Sequence, residues 1–566
     1  MTVPADPSVA TAAEPHPMTP PPPPPPHRDD DHAADERAHR GVFSAIRTVA
    51  GFTLLSRFGG LLRDVTTARV FGDTAIASAF AFAFLIPNVF RRLFGEGALA
   101  AAFIPEYARL DAQDPALAAR FASFTMGMLV VVTSAIAILA DAAIFLAIAL
   151  TDPGENTRLV LELTAIMLLY MPMICAVAVL GGILQVHGRF AIVAFSPVLL
   201  NACIIAGALL AIGPMGLDPR GATYVVSGGV LLSGVVQLLW SLAAIRRHVR
   251  WTLAFAGSRD SVRTMLRRFV PAAIGLGTLQ LNTLFDGFIA SWPILVGPTI
   301  LGVAYPLDEA SAGIISYSQR LYQFPLGVFG IAVATAVFPA LSRAADQPRL
   351  FTEMLRRGVR LSLFIALPAT LGLLLVRHDL AYVLFRGGNF SEAGVDRAAF
   401  ILLGYAPAVW AYSLSHVFIR AFYARGDTVT PLRIAVSMVA LNLLGNVTLI
   451  WIPGLGEAGL AWSTAISSTV HALLLMRSAR RLTDGAPAVD RTTMQALGVS
   501  LALAVGMAFI VGLFMLAVPR LDGWTHALLR LLGACALGSA AYIAGAVALQ
   551  RTELRWLLSR RSDPDA

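Results

Sequence analysis

The sequence predicts an all-α polytopic membrane protein, and its composition, its run lengths and an internal duplication each support that class. Of its 566 residues, 57% are hydrophobic and only 14% are charged, whereas a soluble chain of this length exposes far more charge. Apolar runs of about 20 residues, the length that crosses a bilayer, recur about fourteen times. They cover 43–66, 75–97, 119–150, 158–184, 191–213, 221–245, 268–291, 310–341, 358–376, 396–422, 431–452, 456–477, 496–518 and 526–549.

The loops between these runs predict the topology. Loops that follow even-numbered runs are rich in arginine, as at 246–268 and 477–481, whereas 151–156 and 306–311 are not. Loop 377–397 departs mildly from this alternation. Arginine-rich loops stay in the cytoplasm, so the loops after even-numbered runs are expected to be cytoplasmic. Both termini are then expected to be cytoplasmic as well, which requires an even number of spans. The net charge of +8 therefore reflects topology rather than a nucleic-acid partner.

The two halves of the chain resemble each other. Residues 98–110 (ALAAAFIPEYARL) match 332–344 (AVATAVFPALSRA), and each half ends in an arginine pair, at 246–247 and 480–481. Two six-helix lobes in a pseudo-two-fold repeat, with two further helices, are typical of transporters. The predicted units are a Pro-rich disordered cytoplasmic tail (1–40), an N-lobe (41–247), a C-lobe (248–482), two C-terminal helices (483–550) and a cytoplasmic tail (551–566).

The sequence contains no grouping that indicates catalysis. It has no nucleophile elbow, no metal-binding His-Glu-x-x-His helix and no phosphate loop ending in Lys-Ser/Thr. Cys175, Cys203 and Cys535 all lie within apolar runs, a placement that indicates neither a disulfide framework nor a metal site. We therefore expect a transporter rather than an enzyme, with no organic cofactor.

Charged side chains inside the first two apolar runs indicate an anion site. Arg57 and Arg63 flank Gly59-Gly60, and Arg320 lies in the eighth run. Guanidinium groups suit phosphate because they present forked donors and keep their charge when partly desolvated. Asp64 follows Arg57 by seven residues, so it is expected to hold Arg57 between substrate visits.

The remaining charges of this stretch allow two interpretations. Arg69, Arg91 and Arg92 either bind the same anion or extend to the lipid headgroups. Arg92 and Glu96, four residues apart, are expected to form a structural pair.

An isolated carboxylate in the seventh run suggests a second site. Asp286 is an intramembrane acid, which is by default a proton or cation site, and Asn442 and Asn446 supply carbonyl oxygens for Na⁺. Alternatively, Asp286 pairs with Arg320 and the two asparagines join helices. The buried histidines His416 and His471 are expected to be satisfied interior residues.

Several motifs together resemble the MurJ/MviN family of lipid II flippases. They are SRFGGLLRD (56–64), FLIPNVFRRLFGEGALAAAFIPEY (84–107), GRFAIVAFSPVLLN (188–201), YSQRLYQFPLGVFGIAVATAVFPALS (317–342) and RAFYARGDTVTP (420–431). The resemblance extends from about residue 43 to 550.

This resemblance implies a function, a location and a site. Lipid II would move from the cytoplasmic to the outer leaflet of the bacterial inner membrane, for peptidoglycan synthesis, by alternating access through an arginine-lined cavity. The last two helices would hold its polyprenyl tail, and Na⁺, a proton or the membrane potential would drive the cycle. The substrate-binding positions that it implies are Arg57, Arg63, Arg91 and Arg320, with Asp64 and Glu96 also matching the family's pattern.

Two positions depart from the family's pattern, and other functions stay open. Ser78 and Gln319 stand where some members carry acids. The expected partners are lipid II, membrane lipids and cell-wall synthesis or division proteins. The alternatives are an exporter of polysaccharide-repeat lipids or cationic drugs, a non-transporting scaffold of the cell-wall machinery and, least favoured, a membrane-embedded enzyme.

Overall fold

The computed structural model describes residues 51–95 and 97–558. The predicted tail 1–40, Glu96 and residues 559–566 lie outside this part of the chain. The first half contains α1 (51–71), α2 (Ala75–Phe90), α3 (Ala98–Gln113), α4 (Pro115–Thr151), α5 (Glu155–Leu168), α6 (Tyr170–Val186), α7 (Phe190–Ile212) and α8 (Pro219–Ile245).

The second half is also helical, apart from one small hairpin of β1 (Thr299–Ile300) and β2 (Val303–Ala304). Its helices are α9 (Arg259–Leu295), α10 (Ser311–Pro325), α11 (Ile331–Arg343), α12 (Pro348–Phe385), α13 (Glu392–Tyr405), α14 (Ala408–Ala424), α15 (Val429–Leu449), α16 (Ala458–Ser478), α17 (Arg491–Ala517), α18 (Trp524–Ala548) and α19 (Thr552–Leu558). The predicted all-α class is confirmed.

Side chains that accept from free backbone N–H groups set several helix starts. Asp114 accepts from the amides of Ala116 and Leu117, with Pro115 as the first helical residue of α4. Asp490 caps α17 through the amide of Thr493. Such caps satisfy donors that the first turn of a helix leaves unpaired.

Ten helices of the described residues are long and apolar enough to cross a membrane, or eleven if the bent pair α13–α14 counts as one span. The protein is therefore a multi-pass membrane protein. The predicted runs 43–66, 268–291 and 310–341 fall on helices that do not meet this test. Those helices cover 51–71, 259–295 and 311–343. These helices carry Arg57, Arg63, Asp286 and Arg320, so charge lowers their hydropathy. The count of fourteen spans stays a prediction.

Several predicted runs are interrupted helices. Leu169 separates α5 from α6, and α13 and α14 meet at 41°. Two π-helical turns, Arg91–Gly95 and Leu326–Gly330, follow α2 and α10. Each lies just after a helical proline, Pro87 or Pro325. Proline removes a ladder hydrogen bond, and π-helical turns occur often at functional sites.

The last two long helices pack on α12. Arg530 of α18 is only 6% exposed, and its Nη1 lies 2.9 Å from Asp379 Oδ1 of α12. Its other nitrogens donate to the carbonyls of Met515 and Val518. A buried charge is stable only when it is paired and hydrogen-bonded, so this cluster joins α17 and α18 to α12. The residue boundaries of the predicted lobes stay a prediction.

The loops define two ends of the helical assembly. We call the end with 246–258 and 479–490 the arginine-rich face, and the end with the turns 72–74, 297–310 and 386–391 the opposite face. At the opposite face, Arg397 pairs with Asp308 over 2.8 Å and with Glu457. These contacts join α13 and α16 to the loop before α10.

The two halves of the chain also meet at the opposite face, in contacts that we call the seal. Ser391 donates to Asp73 through its amide, over 2.9 Å, and through its hydroxyl, over 2.6 Å. The backbone amide of Asn389 donates to the carbonyl of Arg69 over 2.8 Å, and its side-chain amide donates to the carbonyl of Val70 over 2.7 Å. A Cβ at Gly72, whose φ is +72°, would lie 2.5 Å from the Asn389 carbonyl oxygen. Only glycine suits that conformation and that close approach.

Candidate functional site

Five arginines from three elements line one pocket of about 240 Å³, which we call the arginine pocket. Four of them are the arginines that the sequence predicts as substrate-binding, and α1, the π-turn after α2 and α10 bring them together. The fifth is Arg92. The pocket's arginines are Arg57, Arg63, Arg91, Arg92 and Arg320.

Asp64 lies between two of these arginines. Its Oδ1 is 2.8 Å from Arg63 Nη2, and its Oδ2 is 3.1 Å from Arg320 Nε. The expectation that Asp64 holds Arg57 is therefore corrected. Seven residues along a helix amount to a rise of roughly 10 Å, so the Arg57 guanidinium reaches a different part of the pocket.

Arg57 lies against a glycine of the second π-turn. A Cβ at Gly327 would be 1.6 Å from Arg57 Nη1 and 2.7 Å from Cζ. Any larger residue at 327 would displace the guanidinium. The motif at 317–342 therefore supplies both Arg320 and the surface that receives Arg57.

Asn201 of α7 is a site residue that the sequence analysis did not single out. Its Oδ1 accepts from Arg63 Nη1 over 3.0 Å, and its Nδ2 donates to the carbonyl of Ser56 over 3.1 Å. Asn201 is also the nearest neighbour of Gly59. An asparagine in an otherwise apolar run was a signal, because buried amides need specific partners.

The other charges of the first two runs separate into two groups. Arg91 bonds to Asn88 through Nε and Nη2, over 3.2 and 3.0 Å, and faces the arginine pocket together with Arg92. Arg69 instead donates to the carbonyl of Val383 and belongs to the seal. Glu96, the predicted partner of Arg92, lies outside the described residues.

A larger cavity of about 470 Å³ adjoins the arginine pocket, and we call it the central cavity. Both are lined by Arg63, Asp64 and Arg320. The central cavity continues to Asp286 of α9 and Asn442 of α15. Two of the predicted anion-binding residues, Arg63 and Arg320, therefore share this cavity with Asp286 and Asn442 of the predicted cation site.

Asp286 is held by amides. Asn446 donates to its Oδ1, and Asn282 Nδ2 donates to its Oδ2 over 3.2 Å. Asn442, with its amide oxygen and nitrogen exchanged, also reaches Oδ1 over 3.1 Å. The alternative pairing of Asp286 with Arg320 is not formed among the described residues, because Arg320 lies against Asp64.

The carboxylate oxygens of Asp286 and the amide oxygens of Asn442 and Asn446 are chemically suited to a hard cation. Asn446 Oδ1 is buried and has no hydrogen-bond partner in the described part of the chain, so it is available as a ligand. Carboxylate and amide oxygens are the ligands that hard cations prefer. In the present arrangement amide N–H groups face the carboxylate, so a cation would require the amides to turn.

The two departures from the family's pattern make neutral contacts. Ser78 Oγ accepts from the amide of Gly313 over 2.9 Å, which adds a bond between α2 and α10. The Gln319 amide donates to Tyr405 Oη over 3.0 Å. Neither position adds charge to the central cavity.

Comparison with known proteins identifies the family. The sequence model of the family described as lipid II flippase MurJ matches residues 67–544. The chain belongs to the lipid II flippase MurJ family. A probable lipid II flippase MurJ of Vibrio cholerae serotype O1 is 32% identical over 529 residues, which is 88% of this chain and 94% of the relative. The lipid II flippase MurJ of Burkholderia cenocepacia is 30% identical over 479 residues, 82% of this chain and 89% of the relative.

Solved structures share the fold. One described as "Lipid II flippase MurJ, inward closed conformation" superposes with a TM-score of 0.73 at 22% identity, over 89% of this chain and 98% of that one. An inward-facing multidrug resistance MATE transporter of the MOP superfamily gives a TM-score of 0.63 at 17% identity, over 78% and 98% of the two chains. The drug exporters that were an alternative therefore share the architecture, whereas the sequence relatives are named as lipid II flippases.

Proposed function

We propose that this chain moves lipid II, the lipid-linked peptidoglycan precursor, from the cytoplasmic to the outer leaflet of the inner membrane, and that it acts as a transporter rather than an enzyme. Membership of the family supports this function. The observation that carries it is the arginine pocket itself, whose described lining contains five arginines and the carboxylate of Asp64, which contacts Arg63 and Arg320.

That charge balance suits a diphosphate. Asp64 neutralises part of the charge of Arg63 and Arg320 while the pocket holds no substrate. An incoming diphosphate offers more oxygens than the Asp64 carboxylate does. It therefore replaces Asp64 as the acceptor of the paired N–H groups of Arg63 and Arg320. A diphosphate would not cross hydrocarbon unaided, because even one charge at the bilayer centre is costly.

The seal suits one gate of an alternating-access cycle. Its bonds join the turn after α1 to the loop before α13, and Ser78 adds a contact with Gly313. Outward release requires these bonds to break, and they are few and peripheral. A disulfide between Asp73→Cys and Ser391→Cys is therefore expected to stop transport, and a reductant to restore it.

The orientation, the tail path and the energy source complete the proposal. Both termini face the cytoplasm, as arginine-rich loops require. The polyprenyl tail stays in lipid beside α17 and α18. Na⁺ or a proton binds at Asp286, Asn442 and Asn446, or the membrane potential acts on the cationic pocket, with about 2.3 kcal/mol per charge at 100 mV. Proteins of cell-wall synthesis or division are proposed as partners.

The test is replacement in cells depleted of the native flippase. Arg63→Ala and Arg320→Ala, inserted at normal levels, are expected to abolish growth and outward exposure of lipid II. Arg158→Ala is the control, since Arg158 is exposed and pairs with Glu162 within α5. If both cavity variants support growth and lipid II exposure as the control does, the arginine pocket is not the substrate site.

The same cells separate the alternative functions. Deleting residues 1–40 is expected to leave flipping intact, whereas a scaffold that docks partners through this tail would fail. Normal lipid II exposure together with loss of another exported lipid would favour a polysaccharide-lipid exporter.

A further inference from the structure

Three exposed arginines follow one another along the start of α9. Arg259, Arg263 and Arg267 are spaced by four residues, so they lie along one side of the helix. Within residues 51–95 and 97–558, none of the three is in an ion pair with a carboxylate. Three unneutralised charges on one helix side indicate an anionic ligand.

These arginines border a groove of about 580 Å³ between α4 and α9. Its remaining lining is apolar, from Phe124 of α4 to Pro271 of α9. None of its lining residues lines the central cavity or the arginine pocket, so it is a separate site. Its lining residues are Phe124, Arg259, Val262, Arg263, Leu266, Arg267, Val270 and Pro271.

A loop beside the groove presents an apolar tip. In the loop 250–258, Leu253 is 89% exposed, with Trp251 and Phe255 also exposed. Apolar and aromatic side chains next to arginines are typical of segments that lie in the headgroup layer of a membrane.

That loop is fixed in place on α4. Arg120 Nη1 donates to the carbonyl of Ala256 over 3.3 Å, and the amide of Thr252 donates to Ser123 Oγ over 3.1 Å. The ring of Phe255 contacts that of Phe124 edge-on, with 5.3 Å between centroids. Leu253 is therefore held outward by a fixed support.

We propose that the groove between α4 and α9 binds an acidic glycerophospholipid of the leaflet at the arginine-rich face. Its phosphate contacts Arg259, Arg263 and Arg267, because guanidinium groups bind phosphate oxygens in pairs. One acyl chain follows the apolar lining toward Val270, which is 50% exposed. A phospholipid matches the groove better than a soluble anion does, since the apolar lining continues from the charged end.

The bound lipid would join two structural units. α4 belongs to the predicted N-lobe, and α9 carries Asp286 and packs on both α3 and α15. A lipid held between α4 and the start of α9 therefore stabilises the position of the helix that carries the predicted cation site. Acidic lipid is expected to raise the thermal stability of the whole protein.

The experiment measures lipid retention by the full-length protein. The purified chain is reconstituted in nanodiscs that contain equal amounts of phosphatidylglycerol and phosphatidylcholine, extracted into detergent, and analysed by native mass spectrometry. The variant R259Q/R263Q/R267Q is compared with R246Q/R247Q/R250Q. The control removes three exposed arginines from the same face, none of which lines the groove.

The groove variant is expected to retain at least about tenfold less phosphatidylglycerol than the control and the native chain. It should also lose the rise of melting temperature that phosphatidylglycerol causes. Equal losses in both variants would mean general charge attraction only, and no loss in either would mean no site. Both outcomes overturn the proposal. Retention of a polyprenyl diphosphate instead of phospholipid from native membranes would also overturn it.

A second variant distinguishes loss of lipid binding from misfolding. V270W fills the apolar end of the groove and keeps all three arginines. It is expected to lower phosphatidylglycerol retention while the melting temperature in phosphatidylcholine alone stays unchanged. Unchanged retention in V270W would overturn the acyl-chain part of the proposal.

Discussion

The two ends of the central cavity satisfy buried charge in opposite ways. At one end Asp64 lies between Arg63 and Arg320, with further arginines nearby. At the other end Asp286 receives hydrogen bonds from Asn446 and Asn282, and it forms no ion pair in the described part of the chain. Among the described residues, one end therefore contains more arginines than carboxylates, and the other contains one carboxylate without an arginine partner.

This difference indicates a division of tasks within the central cavity, in which the arginine end attracts an anion and Asp286 attracts a cation or a proton. A cluster of guanidinium groups attracts an anion whenever the carboxylate of Asp64 is displaced. A carboxylate held only by neutral amides keeps its need for a cation or a proton, because amide hydrogen bonds do not cancel its charge. Substitutions at Asp64 and at Asp286 therefore test the two ends separately.

Neutralising Asp64 and neutralising Asp286 should have different effects on folding and transport. Asp64→Asn leaves Arg63 and Arg320, which are both partly buried, without their counter-ion, and an unpaired charge in such a place is destabilising. We expect loss of folded protein or of lipid II exposure. Asp286→Asn should keep lipid II binding within about twofold and remove the dependence of transport on its coupling cation. The measurements are lipid II binding and exposure at varied Na⁺ and pH. The division of tasks is wrong if both variants lose lipid II binding equally.

Removing the Asn201 amide, which accepts a hydrogen bond from Arg63, should reduce transport less than Asp64→Asn does. Asn201→Ala deletes the acceptor of Arg63 and the donor to Ser56. Hydrogen bonds to charged groups contribute about 1.5–3 kcal/mol, so transport is expected to fall by roughly tenfold or more. Asn201→Asp keeps the acceptor and should retain more activity. Equal rates for Asn201→Ala and the native chain would show that Arg63 does not need this support.

Displacing Arg57 should have a smaller effect. A methyl group at Gly327 overlaps Arg57 Nη1, and the flexible side chain moves away at modest cost. Gly327→Ala should therefore weaken lipid II binding several-fold without unfolding the protein. Gly372→Ala is the matched control, since nothing lies within 4 Å of a Cβ at that position. Identical binding by both variants would exclude a role for the position of Arg57.

A helix cap far from the cavity should have the smallest effect. Burial raises the pKa of Asp490, but its hydrogen bonds with Thr493 and Thr492 outweigh it and hold the pKa at about 2. A lowered folded-state pKa contributes stability above the ordinary value near 4, which is lost only as pH falls toward 2. Asp490→Ala should cost about 1 kcal/mol, and the loss should be constant from pH 5 to 8. A loss that varies over this range, measured by thermal unfolding, would contradict the assignment.

The sequence predicted much of the fold because membrane-length apolar runs are local features. The run 191–213 appears as α7 (Phe190–Ile212), and 526–549 as α18 (Trp524–Ala548). The breaks inside 158–184 and 396–422 were not predicted. They leave the runs equally apolar, and hydropathy records composition rather than the direction of the helix axis.

The residue types of the site were predictable, whereas their pairings were not. Arg57, Arg63, Arg91 and Arg320 stood out because charge is rare in apolar runs. The positions of Asp64 between Arg63 and Arg320, and of Arg57 on Gly327, depend on how α1, α7 and α10 meet. Sequence spacing describes one helix at a time, so it assigned Asp64 to Arg57.

The sequence by itself determined the class of the protein, its arginine inventory and the isolated acid Asp286, because each follows from the cost of placing polar groups in hydrocarbon. The tertiary structure decided which charges meet. It brought arginines from three elements into one pocket, separated them from Asp286 along the same cavity, and joined the two halves at the seal. Those outcomes depend on distances between helices that are far apart in the chain.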